Sequence, residues 1–203
     1  MPRIIKRQNT SLLRRLQFSK IKNIIFQHFD QEYFCNINIL DFGAGRCFLA
    51  NDLLQSGFRL SIVEPQKKLA KKYFAGDKND IFEDINELPK LMKYDVIVVS
   101  SVLQCIDDPE ATLKNIKKYM HEDTLLMISV PNKYQSLFLK KHRNNIWEKM
   151  GGVNGVGAYE PDELRELLIN NKLNVVSTAY VPSKVSSLLW ELSIAIWYKP
   201  GLS

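Results

Sequence analysis

The stretch Ile39-Leu40-Asp41-Phe42-Gly43-Ala44-Gly45-Arg46-Cys47-Phe48-Leu49-Ala50 constrains the fold more than any other part of the chain. An apolar run ends in an aspartate, turns through two glycines and opens into an apolar-periodic segment. The pattern predicts a buried strand feeding a glycine-rich turn into a helix N-terminus. Glycine has no Cβ, so backbone N–H groups in the turn can approach an anionic group closely, and the helix end favours negative charge. The turn therefore predicts a nucleotide site in an α/β sheet.

Strand and helix signals alternate along the rest of the chain, as a parallel sheet with helices on both faces requires. Strands are expected at Asn36–Phe42, Leu60–Val63, Ile81–Phe82, Tyr94–Ser100 and Thr124–Val130. Pro65 is expected as the first residue of the helix after the second strand. Asp108-Pro109 caps a helix with apolar positions Leu113, Ile116 and Met120, and Pro161 starts another with a stripe at Leu164, Leu167 and Leu168. Asn174–Val181 and Ser193–Tyr198 read as a closing antiparallel hairpin, with a short helix around Val185–Leu192 between them. The expected fold is thus Rossmann-like α/β: a mostly parallel seven-stranded sheet flanked by helices, with an antiparallel strand at its edge.

At 203 residues the chain is long enough for one sizeable core. Residues 1–22 hold seven of the 28 basic residues and no acid, while the other 21 nearly balance 22 acids. Any pull on an anionic partner therefore sits in the N-terminal arm. Residues 1–33 read as this basic helical arm, one bent helix or two, packing on a main domain of residues 34–203. Residues 132–158 fit no regular element and read as a substrate-side insertion. No apolar run approaches the roughly 20 residues of a membrane span, and no leader pattern is visible. Cys35, Cys47 and Cys105 have neither zinc-site nor disulfide spacing, so no metal is expected, and a reducing cytoplasm is the expected location.

A lone Gly-x-Gly serves dinucleotides and S-adenosylmethionine alike. The dinucleotide fingerprint needs a small residue where this chain has Phe48. Glu64, at the end of the second strand, suits ribose hydroxyls in either case. Further along, Asp84-Ile85-Asn86-Glu87-Leu88-Pro89 follows the third strand, and Ser100-Ser101-Val102-Leu103-Gln104-Cys105-Ile106 follows the fourth. With Asp41-x-Gly43-x-Gly45 and Val63-Glu64-Pro65, these segments resemble the class I S-adenosylmethionine-dependent methyltransferases, closest to the ubiquinone-type and polysaccharide-cluster branch. The resemblance runs in order from about residue 35 to residue 182.

The resemblance implies that Asp41, Gly43, Ala44 and Gly45 hold the methionine end of S-adenosylmethionine. It implies that Glu64, followed by Pro65, binds the ribose, that Asp84 and the Ile85 N–H read the adenine, and that Ser100 and Ser101 lie beside the sulfonium. Departures are equally specific. Cys47 replaces a third glycine, and Ser101, Gln104 and Cys105 stand where many relatives carry two carboxylates and a histidine. The motifs of adenine, amide and cytosine methylation are missing, so base modification is disfavoured.

Methyl transfer from a sulfonium is an in-line displacement whose reactivity belongs to the cofactor. A base is needed only where the nucleophile must lose a proton. His142 is the base candidate by location, although a histidine in Lys140-Lys141-His142-Arg143 also suits a solvated surface. Tyr134 and Asn132 are candidates to orient a substrate hydroxyl, or to pack the loop. Cys105 reads as an inert buried thiol. The expected activity is O-methylation of a small molecule, a glycan or a lipid-linked sugar. The alternative is a methyltransferase-like protein that holds the nucleotide with weak or no catalysis. The arm reads first as a solvated basic face on a helix that packs over the cofactor site; an anionic membrane surface or a phosphate-bearing substrate comes next, ahead of RNA.

Overall fold

The computed structural model describes residues 12–131, 159–180 and 192–197. Seven strands form one sheet in the order β3-β2-β1-β4-β5-β7-β6. They are β1 (Asn38–Phe42), β2 (Arg59–Val63), β3 (Ile81–Phe82), β4 (Tyr94–Ser100), β5 (Met120–Val130), β6 (Ser177–Tyr180) and β7 (Leu192–Trp197). The first five run parallel, while β7 pairs antiparallel with both β5 and β6. Alternation along the central strands divides the core into two faces. Leu40, Ile97, Val99, Leu126 and Ile128 point one way, and Ile39, Val96, Val98, Leu125 and Met127 the other. Both sets are buried, as expected of a parallel sheet covered on both sides.

Helices α1 (Leu12–His28), α2 (Phe48–Gln55) and α3 (Lys67–Tyr73) cover the second face, contributing Ile21, Ile25, Leu49, Leu53 and Ala70. Helices α4 (Pro109–Lys117) and α5 (Pro161–Asn170) cover the first with Leu113, Ile116, Leu164 and Leu168. The expected starts of these last two hold. Asp108 accepts from the Ala111 N–H at 2.9 Å, and the Glu163 carboxylate accepts from the Glu160 N–H at 2.9 Å.

Several boundaries differ from the sequence reading. Among the described residues the N-terminal segment is a single helix, followed by a 3₁₀ turn over Gln31–Asn36 that takes Asn36 out of the first strand. Pro65 stands outside its helix: α3 begins at Lys67 with Gln66 as its N-cap, because Glu64 draws the Gln66 N–H into a 2.9 Å bond. Met120 opens β5 instead of closing α4. Thr124 Oγ1, buried, donates to the Tyr94 carbonyl at 2.7 Å and accepts from the His121 N–H at 2.8 Å, pinning the irregularity where the register shifts. Cys105 is exposed, not buried. The helix expected around Val185–Leu192 falls on residues outside those described, except for Leu192, which lies in β7.

Candidate active site

In an open parallel sheet, ligands bind beyond the carboxyl ends of the strands where the strand order reverses. Here that point lies between β1 and β4. Register aligns Val63, Phe42 and Val99 across β2, β1 and β4, so Glu64, Gly43 and Ser100 follow side by side. Asp84 lies beyond β3 on one flank, and Ser129, paired with Ser100, near the end of β5 on the other. At about 4.8 Å between strands, the row from β3 to β4 spans about 14 Å, the scale of a nucleoside carrying an amino-acid arm.

The two glycines of the turn have different jobs. Gly43 has φ +77°, and a Cβ there would lie 2.3 Å from Val102 Cγ2, so the β4 loop already fills its space. Gly45 has φ +55°, and nothing lies within 4 Å of where its Cβ would be. That open face is room for a ligand against bare backbone. Ala44, between them, accepts from the Cys47 N–H at 2.8 Å. The Glu64 carboxylate is buried and accepts from the Gly45 N–H at 2.7 Å and the Gln66 N–H at 2.9 Å, one bond to each oxygen. A carboxylate has about four acceptor sites, so two remain for hydroxyls. Pro65, just beyond, is exposed.

Cys47 is the N-cap of α2 in a left-handed conformation, φ 55°, and makes no side-chain capping bond. Asp41 does that work from the strand, accepting a hydrogen bond from the Ala50 N–H in the first turn of α2. Burial and, next, the Glu64 charge push the Asp41 carboxyl up to about 7. Burial also pushes the Cys47 thiol up to about 12, which makes it chemically inert. The left-handed backbone at this position suits glycine, and Cys47 adopts it under strain. Cys47→Gly is expected to be more stable than Cys47→Ala by about 1 kcal/mol in urea unfolding, since alanine keeps the left-handed strain while both lose the thiol.

Asp84 is exposed, and its Oδ1 accepts from both the backbone N–H (2.8 Å) and the side-chain amide (2.6 Å) of Asn86, capping the 3₁₀ turn Ile85–Glu87. Ile85 buries its side chain at the start of that turn. Ser100 and Ser101 end up in a cluster the sequence reading missed. Gln17 Nε2 on α1 lies within hydrogen-bond reach of Ser100 Oγ (2.9 Å), Ser101 Oγ (3.3 Å) and Ser129 Oγ, which share its two N–H donors. A polar residue at the i position of the buried row Gln17, Ile21, Ile25 was the available signal. Ser101 has φ 56°, the second non-glycine residue of the site, after Cys47, in the left-handed region.

Gln104 is also buried, and neither polar atom of its amide has a partner among the described residues. An unpaired buried amide costs about 1–3 kcal/mol. Gln104→Met is accordingly expected to stabilise the free protein by about 1 kcal/mol, read as a raised urea midpoint at unchanged slope. The candidate catalytic residues Asn132, Tyr134 and His142 lie outside the described residues. The segment that carries them leaves β5 at Pro131 and returns at Tyr159, whose N–H donates to the Pro131 carbonyl at 3.0 Å. Both its ends therefore stand at the carboxyl edge. Among the described residues, no group of three or more His, Cys, Asp or Glu side chains could hold a metal ion.

The fold has many solved counterparts. Magnesium protoporphyrin IX methyltransferase from Synechocystis PCC 6803, with bound S-adenosylhomocysteine, superposes at TM-score 0.65 and 15% identity, over 97% of this chain and 92% of that one. The N-methyltransferase NodS from Bradyrhizobium japonicum WM9, also with S-adenosylhomocysteine, gives 0.64 at 13% identity, over 95% and 90%. An S-adenosylmethionine-dependent methyltransferase from Methanosarcina mazei gives 0.64 at 14%, over 87% and 97%. Identities this low speak to the shared fold, and no curated protein matches by sequence. The family rests on a profile of the methyltransferase domain that matches residues 4–178. With most of its length inside that profile and a turn whose open glycine and acid suit the cofactor, the chain belongs to the methyltransferase-domain family and is a class I S-adenosylmethionine-dependent methyltransferase.

Proposed function

We propose that this enzyme methylates an oxygen of a small molecule, or of a glycan or lipid-linked sugar, with the cofactor held along the edge from β3 to β4. Asp84 and the Ile85 N–H take the adenine, Glu64 with Pro65 the ribose, and Asp41, Gly43, Ala44 and Gly45 the methionine end. When bound, S-adenosylmethionine supplies a methyl group on a positive sulfur, and transfer is an in-line displacement. The protein's part is to orient the acceptor and exclude water; orientation contributes up to about 7–11 kcal/mol in model reactions.

The observation that carries this reading is the neutrality of the wall next to β4. Ser100 and Ser101, half-buried and backed by the buried Gln17 and Ser129, present hydroxyls and no charge, so they cannot hold an amine by charge or remove a proton. A proton on the acceptor oxygen then falls to the segment between Pro131 and Tyr159, where His142 is the proposed base and Tyr134 and Asn132 the proposed orienting groups. The basic arm, including exposed Arg14, Arg15 and Lys20, is assigned to an anionic lipid surface or to a phosphate on the substrate. No helix among the described residues is long and apolar enough to cross a membrane. We place the enzyme in the cytoplasm, where its three free thiols stay reduced.

Ser101, Gln104 and Cys105, in place of acids and a histidine, favour one second reading: a protein that holds the cofactor with weak or no catalysis. One experiment tests both. The protein is incubated with methyl-labelled S-adenosylmethionine and host extract, and label is counted in lipid, glycan, small-molecule, RNA and protein fractions. Label in small molecules, glycan or lipid supports the proposal. Label in RNA or protein overturns the substrate class, and cofactor binding without label anywhere supports the second reading.

A further inference from the structure

Gln17 occupies a position on α1 where helical periodicity calls for an apolar residue, one turn before Ile21 and two before Ile25. Its side chain is only 1% exposed. A buried amide is tolerated when its hydrogen-bonding groups find partners, and here the two N–H donors of Nε2 are shared among three serine hydroxyls at the ends of β4 and β5. The network closes on itself: Ser129 Oγ lies 3.3 Å from Ser100 Oγ, and the Ser101 N–H donates to the Ser129 carbonyl at 2.8 Å. One helix thus clamps the carboxyl ends of β4 and β5 together.

The clamp continues into the cofactor turn. Ser101 is held at φ 56°, a conformation that needs support from its surroundings. The next residue, Val102, projects both methyl groups into the space that a Cβ on Gly43 would take. Contacts therefore run from Gln17 to Ser101, through Val102, to Gly43. We propose that Gln17 is a positioning residue that couples docking of the N-terminal helix to the shape of the glycine turn. Helix docking and cofactor binding then favour one another by the same factor, because such coupling is reciprocal. The inference rests on the reading that this turn holds S-adenosylmethionine.

The test compares wild type with Gln17→Met, which keeps the shape and removes the donor, and Ser129→Ala, which trims the same network from the sheet. S-adenosylmethionine affinity is measured by calorimetry, and hydrogen exchange of α1 amides is followed with and without the cofactor. Expected are a roughly tenfold rise in Kd for each variant, a double variant no worse than either single one, and cofactor protection of α1 in wild type alone. A merely structural glutamine lowers stability without moving Kd or the cofactor-dependent exchange. Folded variants that bind within twofold of wild type overturn the coupling. If Gln17→Met does not fold, Ser129→Ala decides the matter by the same two readings. A wild type that does not bind S-adenosylmethionine overturns the cofactor reading itself, and the coupling with it.

Discussion

Gly45→Ala is expected to yield a folded protein that holds S-adenosylmethionine far more weakly, and Gly43→Ala a protein that folds poorly. Both residues have positive φ, +55° and +77°, so alanine costs each about 1 kcal/mol in backbone strain. They differ in what the new Cβ meets. At Gly45 it meets nothing within 4 Å, so the free protein loses only that strain, about 2–4 °C in melting temperature for a chain of this size. The methyl group then occupies the space proposed for the cofactor, and overpacking of about 1–3 kcal/mol weakens binding by on the order of 10- to 100-fold. At Gly43 the Cβ would lie 2.3 Å from one Val102 methyl and 2.9 Å from the other. Overpacking adds to the strain, for a loss of about 2–4 kcal/mol and roughly 10 °C. Val102→Ala should restore part of that loss in the Gly43→Ala background. Thermal melts with and without cofactor check all three outcomes. A Gly45→Ala protein with the full cofactor-induced shift would remove the turn from the binding site.

The same pair of glycines shows what a sequence can and cannot disclose. Unbroken apolar runs such as Val96-Ile97-Val98-Val99 announce strands buried on both faces, where consecutive branched residues are covered from either side. Caps are equally local: Asp108-Pro109 and Glu160-Pro161 set their helix starts through bonds to residues three positions away. The positions of the glycine turn, Glu64 and Asp84 were legible because each begins within two residues of a strand's carboxyl end, and those ends converge on one edge. Gln17 was not, since its partners lie 83 to 112 residues away and its role depends on which face α1 buries. Ser129 was hidden for the same reason, inside an apolar run at the end of β5. The role of Asp41 was legible only in part. Sequence places it before the turn, but not that it accepts from the Ala50 N–H at a helix start that Cys47 leaves without a side-chain cap.

Asp41→Asn is expected to flatten the pH dependence of stability and to make the protein more stable than wild type above pH 7. The Asp41 carboxyl is raised from 3.8 to about 7, first by burial and then by the charge of Glu64, against the opposing hydrogen bond from Ala50. In the unfolded chain the same group titrates near 3.8. Between these values the native state binds a proton that the unfolded state has released. Stability therefore falls as pH rises through that window and levels off above about 7. At 1.36 kcal/mol per unit, the raised pKa corresponds to a loss on the order of 4 kcal/mol. Asparagine keeps an oxygen to accept from the Ala50 N–H, so the helix start stays capped while the charge is gone. Glu64→Gln, which removes the second cause, should move the descent to lower pH. Urea unfolding of the three proteins from pH 4 to 8 reads these effects directly, and equal slopes for wild type and Asp41→Asn would place the titrating group elsewhere. A buried carboxyl that ionises near neutrality is costly to the free protein, yet it suits a ligand with a positive sulfur and an ammonium group. S-adenosylmethionine should therefore bind more tightly as pH rises through 7, and Asp41→Asn should lose that gain even as its fold becomes more stable.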